Sequence, residues 1–148
     1  MNCLKIDILC IGKLKDRAFE SRCQEYLKWL SPYAKIRLTE LPDSDKAREN
    51  AALLRHLEKA EGTVIVLSED GQTFSSRGFA AKLAEYSSGQ LTFVIGGPEG
   101  LLPEVKRKGT LLWSLSPLTF THELARLLLC EQLFRAVNIL RGGHYHND

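Results

Sequence analysis

The chain has 148 residues and a mass of 16.7 kDa, enough for one domain, spanning 1–148, that buries about two thirds of its unfolded surface without staples. At 44% hydrophobic and 26% charged it reads as an ordinary soluble protein, and no apolar run approaches the roughly 20 residues that would make a membrane span. The net charge of +2 excludes the strongly basic profile of a typical nucleic-acid-binding domain, but eight basic against four acidic residues over 1–37 leave one face able to dock phosphate.

The N-terminal stretch MNCLKIDILCIGKLKD has no leading basic region and is interrupted by Lys5 and Asp7, so it reads as a strand rather than a signal peptide and points to a cytoplasmic protein. CLKIDILCI (3–11) is the first strand. Phe19, Cys23, Tyr26, Leu27 and Leu30 recur at helical spacing across 16–30, and Pro32 ends that amphipathic helix. AKIRLTEL (34–41) alternates as a second strand. Pro42, Asp43 and Ser44 then turn the chain into a helix with Leu53, Leu54 and Leu57 inward, which Gly62 closes.

TVIVL (63–67) and LTFVI (91–95) are near-continuous apolar runs, as expected of central parallel strands covered on both faces. Between them Ser75 or Ser76 caps a helix with Phe79, Leu83 and Tyr86 on its inner stripe. Pro103 starts a short basic turn ending near Gly109, TLLWSL (110–115) is a further strand, and a long apolar helix precedes the polar tail GGHYHND. The alternation predicts an α/β fold with a mostly parallel sheet flanked by helices. Cys3, Cys10, Cys23 and Cys130 form no CxxC pair and lie in apolar patterns, so they read as buried reduced thiols, with neither a disulfide nor a metal implied.

In open α/β sheets ligands bind beyond the carboxyl ends of the strands. Three such ends carry unusual residues: SEDG after Leu67, GGPEGL after Ile95 and SPLTF after Leu115. GGPEG lacks the GxGxxG spacing and any following Gly-Lys-Ser/Thr, which disfavours a nucleoside triphosphate or dinucleotide. Leu67, Leu115, Leu118 and Phe120 offer apolar walls, and Ser116 and Thr119 offer hydrogen bonds, a mixture suited to an adenine ring and ribose.

The ordered set IGKLK (11–15), FVIGGPEGL (93–101), WSLSPLTF (113–120), EQLFRA (131–136) and terminal YH (145–146) resembles the RlmH family, the bacterial ribosomal RNA large-subunit pseudouridine N3-methyltransferases. The resemblance covers essentially the whole chain. It implies a SPOUT-class fold with a C-terminal deep trefoil knot, S-adenosyl-L-methionine as methyl donor and no metal. It also implies a homodimer with its active site at the interface, and a pseudouridine in 23S ribosomal RNA of an assembled ribosome as substrate. The family's donor contacts fall on Leu67, Gly96 and the run Leu115, Ser116, Pro117, Leu118, Thr119 and Phe120. The chain departs from the family at Thr121 and His144, where proline is usual, and at Asn147, where a basic residue is usual. Two alternatives stay open: a SPOUT enzyme with another RNA target, and a non-catalytic ribosome-binding factor.

Methyl transfer from a sulfonium is an in-line displacement that needs alignment and removal of the imide proton. A histidine, or a cation that stabilises the imidate, would serve: His146, with Tyr145 positioning the base, is the first candidate, and His122 and Arg126, one helical turn apart, are the second. Arg135, four residues after Glu131, is read as half of a helix-surface ion pair. The HxH of the tail with Asp148 lacks a fixed third ligand and is not read as a metal site. The Lys13, Lys15, Arg17 cluster and Lys106–Lys108 are solvated faces available to RNA.

Overall fold

The first strand, β1 (Leu4–Ile11), is buried at every position but Lys5, because it lies inside a parallel sheet with helices on both faces. The computed structural model describes residues 3–148. After β1 come α1 (Arg17–Leu30), β2 (Ala34–Leu41), α2 (Lys46–Glu58), β3 (Thr63–Gln72), α3 (Ser76–Glu85), β4 (Gln90–Ile95), α4 (Pro103–Lys106), β5 (Leu111–Trp113) and α5 (His122–Leu140). The strand order is β2-β1-β4-β3-β5, and every pairing is parallel.

Two apolar layers hold the sheet. One face presents Ile6, Ile8, Phe93, Ile65 and Trp113 to α1, α3 and α5, where Phe79 stacks on Trp113 with ring centroids 4.1 Å apart. The other presents Leu9, Ile11, Val94 and Val66 to α2 and α4 through Leu53, Leu57 and Val105. Residues of alternate parity along each strand therefore face different layers, so both faces select apolar side chains.

Side-chain caps explain most helix starts. Asp16, Asp45 and Ser75 accept the backbone N–H of Phe19, Arg48 and Gly78, three residues on. Thr121 does the same for Leu124, so the residue where the resemblance leads one to expect proline is the N-cap of α5.

Four expectations need correction. The third strand does not stop at Leu67. It bulges through 68–71 and rejoins β5 at Gln72, so that Leu67 and Gln72 both pair with Trp113. Gly71 makes this possible, since a Cβ there would sit 2.5 Å from the carbonyl oxygen of Leu112. The last strand, Leu111–Trp113, is shorter than 110–115: Ser114 still donates its N–H to the carbonyl of Gln72 (2.8 Å), and the residues after it leave the sheet edge. Gly62 (φ +80°) does not close α2, which ends at Glu58, but turns the chain into β3. Cys10, Cys23 and Cys130 are buried free thiols, whereas Cys3 is exposed.

Candidate functional site

A cleft of about 400 Å³ opens beyond the carboxyl ends of β3, β4 and β5, within the roughly 300–1,000 Å³ usual for small-molecule sites. Of the residues expected to hold a methyl donor, Leu67, Gly96, Leu115, Ser116, Leu118, Thr119 and Phe120 line it, whereas Pro117 does not. Leu118 is 69% exposed, an apolar side chain left in the open at the cleft.

Local hydrogen bonds shape the walls. Ser114 Oγ donates to the carbonyl of Ser116 (2.8 Å), and the N–H of Leu118 donates to Ser116 Oγ (3.1 Å), which curls the segment after β5 into a tight turn. Thr119 donates to Glu69 and so joins that turn to the β3 bulge. Within the bulge Ser68 donates to Asp70, which also pairs with Lys106 at 3.2 Å. Those two contacts, Ser68 first, hold the Asp70 carboxyl below its ordinary range. Glu69 and Glu99 are left as the acidic lining, a potential that favours a cationic ligand.

The catalytic candidates separate along α5. His122 lines the cleft. Beside it Glu123 accepts the N–H groups of Asp16 (3.0 Å) and Lys15 (2.7 Å), which lowers its carboxyl pKa and brings the exposed Lys13, Lys15 and Arg17 to the same end of the helix. Arg126 lies inside the fold, 3% exposed, with one guanidinium nitrogen 2.6 Å from Glu40 and another donating to the carbonyl of Gly12 at 2.8 Å.

Tyr145 and His146 fold back along the second half of the helix. The N–H of Tyr145 donates to Asn138 (3.0 Å), and its hydroxyl donates to Glu131 (3.4 Å) and lies 3.3 Å from the hydroxyl of Tyr26. Burial first, then these oxygens, push its phenol up to about 12. His146 has Nδ1 3.1 Å from Arg135 and Nε2 3.0 Å from Asp148, which pairs in turn with Arg77 at 2.7 Å. Arg135 also pairs with Glu131, the expected ion pair four residues apart. Arg135 is thirteen residues past His122, so the tail histidine lies about 20 Å along the helix from the cleft of its own chain.

Two residues behind the cleft wall carry no signal in the loop motifs themselves. Glu49 and Asn50, 4% and 1% exposed on α2, touch the loop after β4: Asn50 bonds the carbonyl of Gly100 and the N–H of Leu102. A signal existed, since Asn50 is three residues before the inward Leu53 and therefore lies on the buried stripe of its helix.

Comparison with known proteins places this geometry. A family model described as "Predicted SPOUT methyltransferase" matches residues 4–146. Proteins named ribosomal RNA large subunit methyltransferase H are similar end to end. The one from Prochlorococcus marinus (strain MIT 9211) is 43% identical, covering 100% of this chain and 99% of its own. That from Synechococcus sp. (strain RCC307) is 44% identical over 97% and 95%, and that from Gloeobacter violaceus is 37% identical over 97% and 99%. Among solved structures, a chain from Legionella pneumophila assigned as a methyltransferase, with the cofactor SAM bound, shares the fold at a TM-score of 0.51 and 13% identity, covering 90% of this chain and 66% of its own. The chain belongs to the SPOUT methyltransferase family and, within it, to the ribosomal RNA large subunit methyltransferase H family.

Proposed function

We propose that the protein transfers a methyl group from S-adenosyl-L-methionine to N3 of a pseudouridine in large-subunit 23S ribosomal RNA, on the assembled ribosome in the cytoplasm. One observation carries this reading: a cleft of about 400 Å³ at three strand ends, walled by residues on which the resemblance puts the donor contacts and lined by Glu69 and Glu99. The cofactor fits it in size, in the mixture of apolar walls and hydroxyls, and in charge, because its sulfonium and ammonium groups are cationic. When bound, it supplies an electrophilic methyl group.

The chain's residues do the remainder. Leu67, Leu115, Leu118 and Phe120 enclose the adenosine and exclude water, while Gly96, Ser116 and Thr119 offer hydrogen bonds, with Pro117 stiffening the turn. His146 takes the N3 proton, and Tyr145 orients the base. His122, at the cleft itself, is the alternative proton acceptor. Arg126 has its guanidinium engaged by Glu40 and Gly12, so we assign it to holding α5 in place.

Two features support a homodimer. The cleft and the tail of one chain lie about 20 Å apart along α5, so a tail in the catalytic position has to come from a second copy. Every residue of α5 is buried or half-buried, and Leu124 and Leu128 lie outside the apolar cluster that Leu127 joins, so apolar side chains on a second side of the helix are left for a partner to cover. Light scattering giving twice the chain mass tests this, and a monomer active at assay concentration would overturn it.

A knot is supported by the path of the chain. After β5, at one sheet edge, it crosses the ends of β3 and β4 and starts α5 beside Gly12, past the bulge and the glycine loop. A crystal structure traced through 110–141 decides it.

The functional test uses labelled S-adenosylmethionine and ribosomes from a strain lacking the methylation, followed by mapping of the label. Label at a large-subunit pseudouridine is expected, with little on ribosomes carrying uridine there. Label on transfer RNA alone would favour another target, and donor binding without turnover would favour a binding factor.

A further inference from the structure

The loop after β4 forms one wall of the cleft through Gly96, Pro98, Glu99, Gly100 and Leu101, yet its shape is fixed from behind by a helix that does not line the cleft. Its own backbone supplies a single turn bond, from the N–H of Gly100 to the carbonyl of Gly97 at 3.0 Å. Such a loop, with Gly100 at φ +86°, has little intrinsic preference for one conformation.

Asn50 removes that freedom. Its Nδ2 donates to Lys46 in its own helix (2.8 Å) and to the carbonyl of Gly100 (3.3 Å), while its Oδ1 accepts the N–H of Leu102 (2.7 Å). One side chain thus pairs a carbonyl and an N–H of the loop, as a neighbouring strand would. It uses three of the four hydrogen bonds an amide can make, which is what makes a polar side chain tolerable at 1% exposure. Glu49 completes the backing: its Oε2 accepts the N–H of Ser44 (2.9 Å), and its Oε1 closes the space at Gly97, where a Cβ would lie 2.5 Å away.

We infer that Asn50 is a positioning residue for the methyl donor: its buried amide presets the wall formed by residues 96–102, so it governs donor affinity while leaving the transfer step itself largely untouched. The inference rests on the donor occupying this cleft. Preorganisation of this kind acts through binding, because a loop that must be ordered by its ligand subtracts that cost from the affinity.

The test measures S-adenosylmethionine binding by calorimetry, and steady-state turnover on ribosomes, for the full-length wild type, Asn50→Ala, Asn50→Asp and Leu53→Ala. Leu53 is fully buried on the same helix and packs into the apolar layer between α2, α4 and the sheet, so its truncation loosens that layer without removing a hydrogen bond to the loop. Asn50→Ala is expected to weaken donor binding and raise its KM about tenfold, with kcat at saturating donor within about threefold of wild type. Leu53→Ala is expected to lower Tm at least as much while leaving donor affinity within about twofold. Asn50→Asp keeps the acceptor for Leu102 but cannot donate to Gly100, so it weakens binding in the same direction and serves if the alanine variant does not fold.

Amide exchange gives a readout that needs no donor: the Leu102 N–H should exchange faster in Asn50→Ala relative to the Val94 N–H in the sheet. Equal donor affinity in wild type and both Asn50 variants, or equal losses in Asn50→Ala and Leu53→Ala, would overturn the inference. A wild type that binds no donor, with Leu102 protected by Asn50 all the same, would instead overturn the assignment of the cleft.

Discussion

The two halves of α5 serve different ends of the molecule. The first half is locked: Thr121 caps it, Glu123 bonds the β1–α1 loop, Arg126 is buried against Glu40 and Gly12, and the adjoining cleft is backed by Asn50. The second half carries a tail held by contacts at its own surface, through Tyr145 on Glu131, His146 on Arg135 and the exposed pair Asp148 and Arg77. A built cleft suits a ligand that returns at every turnover in one pose. A tail held by titratable groups suits a partner that must be met and released.

The contrast can be broken most sharply at the tail. His146→Ala is expected to lower turnover by roughly 100-fold or more, the range typical of losing a general base, with donor affinity within about twofold of wild type. A parallel loss of donor affinity would mean that the tail builds the cleft as well. At the locked half, Arg126→Ala leaves Glu40 and the Gly12 carbonyl without their partner and should cost about 3–5 kcal/mol, read by denaturant unfolding. A cost under 1 kcal/mol would show that this end is looser than its geometry suggests.

Gly97→Ala forces a methyl group to within 2.5 Å of the Glu49 carboxylate and should weaken donor binding about tenfold, since the wall or that buried carboxylate must move aside. Tyr145 sharpens the comparison through pH. Its phenol has a raised pKa in the fold, so its contribution to holding the tail is fully present below the ordinary value of 10.0 and is lost as pH climbs through about 12. Tyrosinate absorbance should show that late transition, and Tyr145→Phe should remove it. The smallest effect is expected at Asp148→Asn. Arg77 holds the Asp148 carboxyl below its usual 3.8, so this contact is present above that pH and fades as pH falls further, but an exposed pair should leave Tm within error of wild type.

Much of this was legible in the residues. The runs at 63–67 and 91–95 announced strands buried on both faces, and the loops after Leu67, Ile95 and Leu115 announced the cleft, because strand ends are where an open sheet leaves backbone groups unpaired. The bulge at 68–71 was not legible. It exists because Gly71 can lie against Leu112, forty-one residues later, and nothing local signals that approach. The pairing of Arg126 with Glu40 spans eighty-six residues and is invisible to any periodicity. The tail's histidine could be singled out as chemistry but not located, because it rests on Arg135 of α5 and on Asp148, which Arg77 of α3 holds in turn.

The buried arginine also has a consequence for assembly. A guanidinium enclosed by the end of β1 and a glutamate of β2 finds its partners only if α5 arrives on the correct side of strands formed more than eighty residues earlier. A helix that packed in a shifted register, or took the wrong route past the glycine loop, would carry an uncompensated cation into an apolar layer. Arg126 thereby works as a proofreader of the chain's path: it adds little to a correctly folded molecule beyond what a well-fitting leucine would add, but it penalises every misrouted one.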